Sequence, residues 1–291
     1  MKGNRQFLFH IHHCRGIGLK GTKRLVETCQ DLKAVFELSP SKLQQVTTAT
    51  STNIELFYRD LHSFPSDRYI DLYAKNDIQW ITLLDAEYPV LLKNVYDPPF
   101  LLFLKGDRKL LQASRKLAVI GSRNATSYTD NVLQTMIPEL VKREVLIVSG
   151  LAKGADTIAH KEAIRSGGKT IGVLGGGFQH IYPKQNLDLA HHMMEHHLLI
   201  SEYPPYMKPE KWHFPLRNRI ISGLSDAVLV TEARKKSGTF ITADYALNEG
   251  REVLCLPGSI LDPLAEGTNT LIQEGAKMVL SVEDIVSELQ V

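Results

Sequence analysis

The residues of this chain that could do chemistry gather at the ends of short apolar runs. The clearest case is Val145-Leu146-Ile147-Val148, which stops at Ser149-Gly150, continues through a loop holding Lys153, and hands over to a helix expected near Asp156. In an open α/β sheet the amides of such a loop and the positive end of the next helix point at one spot, a natural seat for an anion. Lys153 adds a mobile ammonium, and Gly150 and Gly154 remove Cβ atoms that would hold a phosphate at a distance. Four more loops read the same way. Gly121-Ser122-Arg123 follows Leu117–Ile120 and offers a planar guanidinium fork for a phosphate or a base. Gly175-Gly176-Gly177-Phe178 follows a third run, with Lys184 beyond Tyr182-Pro183; either Phe178 or Tyr182 supplies a stacking face while the other packs in the core. In His213-Phe214-Pro215-Leu216-Arg217-Asn218-Arg219, Pro215 marks a helix start, so Arg217, Asn218 and Arg219 crowd a first turn where cations oppose the helix dipole unless an anion binds. Finally, Lys235-Lys236-Ser237-Gly238-Thr239 leads lysines, hydroxyls and a glycine into another helix.

The elements that must position these loops follow from periodicity. From Leu117 onward, apolar runs alternate with helical patterns: 117–121, 145–149, 169–174, 198–201, 227–230, 253–256 and 277–280. That alternation predicts an α/β fold, an extended Rossmann-like, mostly parallel and doubly wound sheet whose strand C-ends share one rim. Residues 1–64 read as a small all-α domain: Arg15-Gly16-Ile17-Gly18-Leu19-Lys20-Gly21 looks like a helix, a glycine turn and a second helix. Such a turn serves either phosphate contact, as in helix-hairpin-helix or sterile-alpha-motif domains, or plain helical packing. Residues 65–105, interrupted by Pro65, Pro89, Pro98 and Pro99, read as a connecting segment, with a strand expected within 78–84. Residues 106–291 form the main domain.

Several function classes are excluded. The first loop lacks the full GxGxxG, and the second run ends in Ser-Gly where a ribose-binding acid would stand, so no nicotinamide or flavin cofactor is expected. Gly167-Gly168-Lys169-Thr170 resembles the end of a P-loop, but a helix precedes it and a strand follows, the reverse of a Walker motif. His192 and His196 stand four apart without an HExxH arrangement, and no metal site is expected. Cys14, Cys29 and Cys255 form no CxxC pair, which favours a reducing, cytoplasmic setting, and no apolar stretch reaches membrane-spanning length. The formal charge of +2 is uneven, with nine Lys/Arg against five Asp/Glu in residues 1–62. Nucleic-acid contact in the larger part must therefore come from local clusters.

With GSR at 121–123, SGLAKGAD at 149–156, GGGFQHIYPK at 175–184, HFPLRNRIISG at 213–223, SGTFITADYAL at 237–247 and PGSI at 257–260, the chain resembles the DNA-processing protein A family, also called Smf. The resemblance runs from about residue 75 to the end and implies single-stranded DNA binding, homodimers and loading of RecA recombinase during natural transformation. It maps the family's DNA pocket onto Arg123, Ser149, Gly150, Lys153, Lys184, Arg217, Asn218, Ser237, Gly238 and Thr239; with Ser122, Phe178 and Arg219 added from the reading of the loops, these form the expected DNA-binding set, with no catalytic residue. The alternative is a nucleotide-processing enzyme of the phosphoribohydrolase, lysine-decarboxylase-like type. Against it, Ser237-Gly238-Thr239 is followed by Phe240, Ile241 and Thr242, leaving only Asp156 and Glu232 for acid–base work.

Overall fold

A computed structural model describes residues 2–235 and 237–289. The chain packs into two compact units, one of Met1–Tyr88 with Phe100–Leu102 and one of Pro89–Pro99 with Phe103–Val291. The segment 65–105 is thus divided between the units and forms no layer of its own.

The first unit is helical up to Lys75, with helices Lys2–His13, Gly18–Thr28, Pro40–Thr47, Ser51–Ser63 and Ser66–Lys75. Its helix starts follow from local chemistry. Ser39 Oγ accepts the Lys42 N–H ahead of Pro40, and Thr50 Oγ1 accepts the Asn53 N–H. The apolar stripes meet in a core of Leu8, Ile11, Leu25, Val35, Leu43, Ile54, Phe57 and Leu61. The glycine turn at 15–18 is used for packing: a Cβ on Gly16 (φ +104°) would strike the Asn53 carbonyl. Strand β1 (Gln79–Thr82) closes this unit beside the start of β2 (Leu101–Gly106), where the Leu83 N–H donates to Phe100 O at 3.0 Å.

In the second unit the strands are β3 (Lys116–Ile120), β4 (Leu146–Ser149), β5 (Thr170–Leu174), β6 (Leu198–Ser201), β7 (Ala227–Val230), β8 (Glu252–Cys255) and β9 (Lys277–Met278). They lie in the order β6-β5-β4-β3-β7-β8-β9, every neighbouring pair parallel, and β2 joins β6 antiparallel with Phe103 opposite Ser201. The strands are apolar along their length because helices cover both faces. Helices Ser127–Lys142 and Ala155–Arg165 pack against each other, as do His213–Leu224 and Gly238–Asn248. One core joins Leu117, Val119 and Ile147 of the sheet to Leu133, Ile137 and Leu140 of the covering helix. The chain winds outward from β3 through β4, β5 and β6, then restarts on the other side of β3 with β7. That reversal opens a crevice at the C-ends of β3 and β7.

One buried ion pair ties helix His213–Leu224 to the chain after β6. Arg219 donates two hydrogen bonds to Glu202, at 2.7 and 2.9 Å, with both side chains almost wholly out of solvent. Glu202→Ala removes the carboxylate from a buried guanidinium and should cost about 3–5 kcal/mol in urea unfolding; a loss below about 1 kcal/mol would mean that the pair is dispensable.

Candidate nucleic-acid interface

The crevice at the β3/β7 reversal is a hollow of about 340 Å³, lined among others by Ser122, Arg123, Phe214, Arg217, Asn218 and Ser237. A smaller hollow beside it shares Arg123, Ala152, Phe214 and Arg217 and adds Lys153, Gly175 and Tyr182.

The loop after β3 is held from three sides. A Cβ on Gly121 would run into Thr231 Oγ1 and lie 2.8 Å from the Ala155 Cβ. Ser122 O accepts the Ala155 N–H at 3.2 Å, and Ser122 Oγ accepts the Asn124 N–H at 3.1 Å. Glu232, just past β7, then accepts hydrogen bonds from the Thr126 N–H (2.8 Å), Thr126 Oγ1 (2.6 Å) and Thr129 Oγ1 (2.7 Å), placing a carboxylate at the start of helix Ser127–Lys142. Arg123 is therefore presented from a rigid base. It is exposed, with its guanidinium carbon 5.7 Å from the Phe214 ring centre.

The loop after β4 locks onto this one. Gly154 sits at φ +74°, and a Cβ there would collide with Ser122 O and the Arg123 carbonyl group. Lys153 points outward at the smaller hollow. Asn186 fastens the next loop to it, donating to Leu151 O (3.0 Å), Ala152 O (3.3 Å) and Thr157 Oγ1 (2.8 Å), which sets the exposed Lys184 beside the Lys153 loop. Tyr182 is 55% exposed and its ring centre lies 5.7 Å from that of Phe214, whereas Phe178 is only 8% exposed. Of the two aromatics expected to divide stacking and packing, Tyr182 is the exposed one, at the smaller hollow, and Phe178 packs.

Helix His213–Leu224 presents Phe214, Pro215, Arg217, Asn218 and Ile221 to the larger hollow, the face defined by spacings of three and four. The expected clash of cations with the helix dipole is resolved differently here. The helix begins at His213, so Arg217 and Arg219 fall beyond its first turn, and each has its own acid. Arg217 donates to Val173 O at 2.5 Å and lies beside Asp156, which accepts the Ala152 N–H at 3.2 Å. Burial pushes the Asp156 carboxyl above its ordinary range against the pull of Arg217, and burial pushes the Arg217 guanidinium down against the pull of Asp156. Opposite them, Ser237 precedes helix Gly238–Asn248 without capping it, and Gly238, Thr239 and Thr242 line the hollow. Lys236 lies outside the described residues.

Of the thirteen residues expected from the sequence, Ser122, Arg123, Lys153, Arg217, Asn218, Ser237, Gly238 and Thr239 line the two hollows, and Lys184 stands exposed at their edge. The others are placed elsewhere. Ser149 is buried and donates to Val119 O at 2.6 Å. The space above Gly150 is filled by Arg217 and Asp156, since a Cβ would meet both. The glycines at 175–177 admit Phe214, Pro209 and the carbonyls of Pro204 and Pro205, so they serve packing. Phe178 packs inside and Arg219 is held by Glu202. Phe214 and Asn186 are additions: Phe214 shares the helical spacing of Arg217 and Asn218, while nothing in the sequence around Asn186 announces its role as a tie. The His192 and His196 rings lie 4.8 Å apart, and among the described residues no group of three or more His, Cys, Asp or Glu could hold a metal ion. Among the described residues no helix is long and apolar enough to cross a membrane.

The fold and crevice define a Rossmann-like α/β protein with a cation-rimmed cleft at the strand C-ends. The chain belongs to the DNA recombination-mediator protein A family, whose model matches residues 79–290. It is 48% identical over 260 residues to the DNA processing protein DprA of Bacillus subtilis, covering 87% of this chain and 86% of that one. The crystal structure of DNA processing protein A from Streptococcus pneumoniae is similar over 98% of both chains, with a TM-score of 0.85 at 37% identity. A DNA processing protein A from Helicobacter pylori, whose structure concerns its single-stranded DNA binding mode, matches 72% of this chain and 95% of its own with a TM-score of 0.66 at 32% identity.

Beneath the β4 loop, His160 is fully buried, its Nε2 2.5 Å from Gly150 O and its Nδ1 2.7 Å from Thr170 Oγ1. Burial holds it neutral by lowering its pKa to about 4. The unfolded chain binds a proton that the folded one refuses between the ordinary histidine value and that point. Stability is therefore full near neutrality and falls as the pH drops from about 6.5 towards 4, by about 1.4 kcal/mol per pH unit for one proton. His160→Gln should flatten the stability-versus-pH curve over that window, and an unchanged slope would contradict the assignment.

Proposed function

We propose that the chain binds single-stranded DNA along the rim cleft and hands the strand to RecA recombinase during natural transformation, acting as a homodimer. The observation that carries this reading is the convergence of Arg123, Lys153 and Asn218 with the half-buried Phe214 and the exposed Tyr182 around two adjoining hollows at one edge of the sheet, with the exposed Lys184 two residues beyond Tyr182. Cations track a phosphate backbone and flat rings accept any base, a combination suited to sequence-tolerant strand binding. The Helicobacter pylori relative supports the choice of a single strand, and the family's description as a recombination mediator supports transfer to a recombinase.

The phosphoribohydrolase alternative needs a free carboxylate in the hollow. Both oxygens of Glu232 are engaged by Thr126 and Thr129, and Asp156 lies buried against Arg217. Glu232 is thus committed to the loop after β3, and Asp156, at the wall of the hollow, to Arg217.

Binding of a fluorescent oligothymidylate and of a duplex, followed across a salt series, tests the reading. The single strand should bind far more tightly. Arg123→Ala should reduce the steepness of log K against log salt by about 0.7 for each phosphate that is no longer neutralised, and Phe214→Ala should cost about 1–3 kcal/mol at every salt concentration. Equal affinity for both polymers, or variants indistinguishable from the parent, would refute strand binding in the cleft. Light scattering and RecA assembly on a bound strand examine the dimer and the handover in turn.

A further inference from the structure

The chain between β6 and helix His213–Leu224 carries an aromatic residue that neither hollow uses. The helix connects two strands of one parallel sheet, so it runs back against them and its first turn stands on the strand C-end rim. The residue that opens it is Trp212, where a serine, threonine, aspartate or asparagine ordinarily supplies a cap, and its side chain makes no capping bond. The indole is nevertheless held in place. Its Nε1–H donates to Glu210 Oε2 at 2.6 Å, and the His213 ring meets it at 81° with centres 4.1 Å apart, that imidazole being buried and stacked on Tyr203. Even so, Trp212 is 55% exposed. A large ring that is fixed but left in water gives up apolar burial that a flat partner restores, and fixing it in advance lowers the ordering cost of binding that partner.

We infer that Trp212, flanked by the exposed Lys208 and Lys211, is a stacking platform that carries a single strand onward beyond the two hollows. This rests on the single-strand reading of the cleft. Continuity with the cleft supports it: Phe214, two residues on, lines both hollows, and the segment before Trp212 packs on the glycine loop that begins at Gly175 in the wall of the smaller one. There the Gly177 N–H donates to Met207 O at 2.8 Å, the Gln179 N–H donates to Pro205 O at 3.0 Å, and a Cβ on Gly176 would press against Pro209. Charge points the same way. Residues 206–212 hold Lys208 and Lys211 against Glu210 alone, and that carboxylate is engaged by the indole. Two ammonium groups beside a fixed ring suit phosphates and a stacked base whatever the sequence. An apolar protein face is a poorer match, since lysine is depleted at the centre of such interfaces.

Oligothymidylates of increasing length are titrated into the full chain and into its Trp212→Ala variant, a change at an exposed ring. Strands that only fill the hollows should bind both alike, whereas longer strands should bind Trp212→Ala about tenfold more weakly. Joint replacement of Lys208→Ala and Lys211→Ala should reduce the steepness of log K against log salt by about 0.7 for each phosphate released, for the longer strands only. The indole reports directly as well. Trp80 and Trp212 are the chain's two tryptophans, so a long strand should quench the emission of the Trp80→Phe variant and leave that of Trp212→Phe unmoved. Equal affinity of the parent and Trp212→Ala at every length, with no quenching, overturns the platform while leaving strand binding in the cleft intact. A changed molar mass of Trp212→Ala in light scattering, with strand affinity unaltered, also overturns it and assigns the ring to contact between copies of the chain. Failure of every length to bind the parent would instead overturn the strand reading beneath it.

Discussion

The arrangement depends on one constraint: from β6 across to β9 all strands run in the same direction. Parallel strands cannot be joined by hairpins, so each must be followed by a crossover that leaves from the same rim. The loops after β3, β4, β5 and β7 thereby come together although they are separated by tens of residues. The reversal of winding between β3 and β7 then keeps two of those loops from closing over each other and leaves the hollow open.

Charge inside that hollow is managed by pairing. Arg217 and Arg219, two residues apart, serve opposite ends: Arg219 is committed to Glu202 and fastens the helix, whereas Arg217 is steadied by Asp156 and the Val173 carbonyl yet keeps a face on the hollow. The glycines act similarly as clearances between protein parts. Gly154 exists so that the loops after β3 and β4 can touch, and Gly121 so that β7's end can pass. The exposed cations thus ride on a frame of interlocked loops, which suits binding without rearrangement.

Much of this was legible in the sequence because parallel strands are buried on both faces and read as unbroken apolar runs: 117–121 became Lys116–Ile120 and 227–230 became Ala227–Val230. β2 escaped because Leu101–Leu104 follows two prolines amid aromatics, a pattern equally suited to a packed loop. At the site, residue type and loop position were enough to place Arg123 and Lys153 on the exposed rim. They did not suffice for Ser149, Phe178 and Arg219, whose fates depend on partners far away in sequence: Val119, the interior, and Glu202. Type and spacing announce a functional group, and only the fold says which way it points.

The central claim is that one strand occupies the loops of this rim together. Hydrogen exchange of the full chain, with and without a saturating oligothymidylate, addresses it directly. Slower exchange is predicted in 121–126, 150–156, 213–218 and 237–242 on addition of the strand, with 18–61 and 191–197 unchanged. Protection confined to the helical first unit, or absent from these rim loops while the strand is bound, would contradict the account.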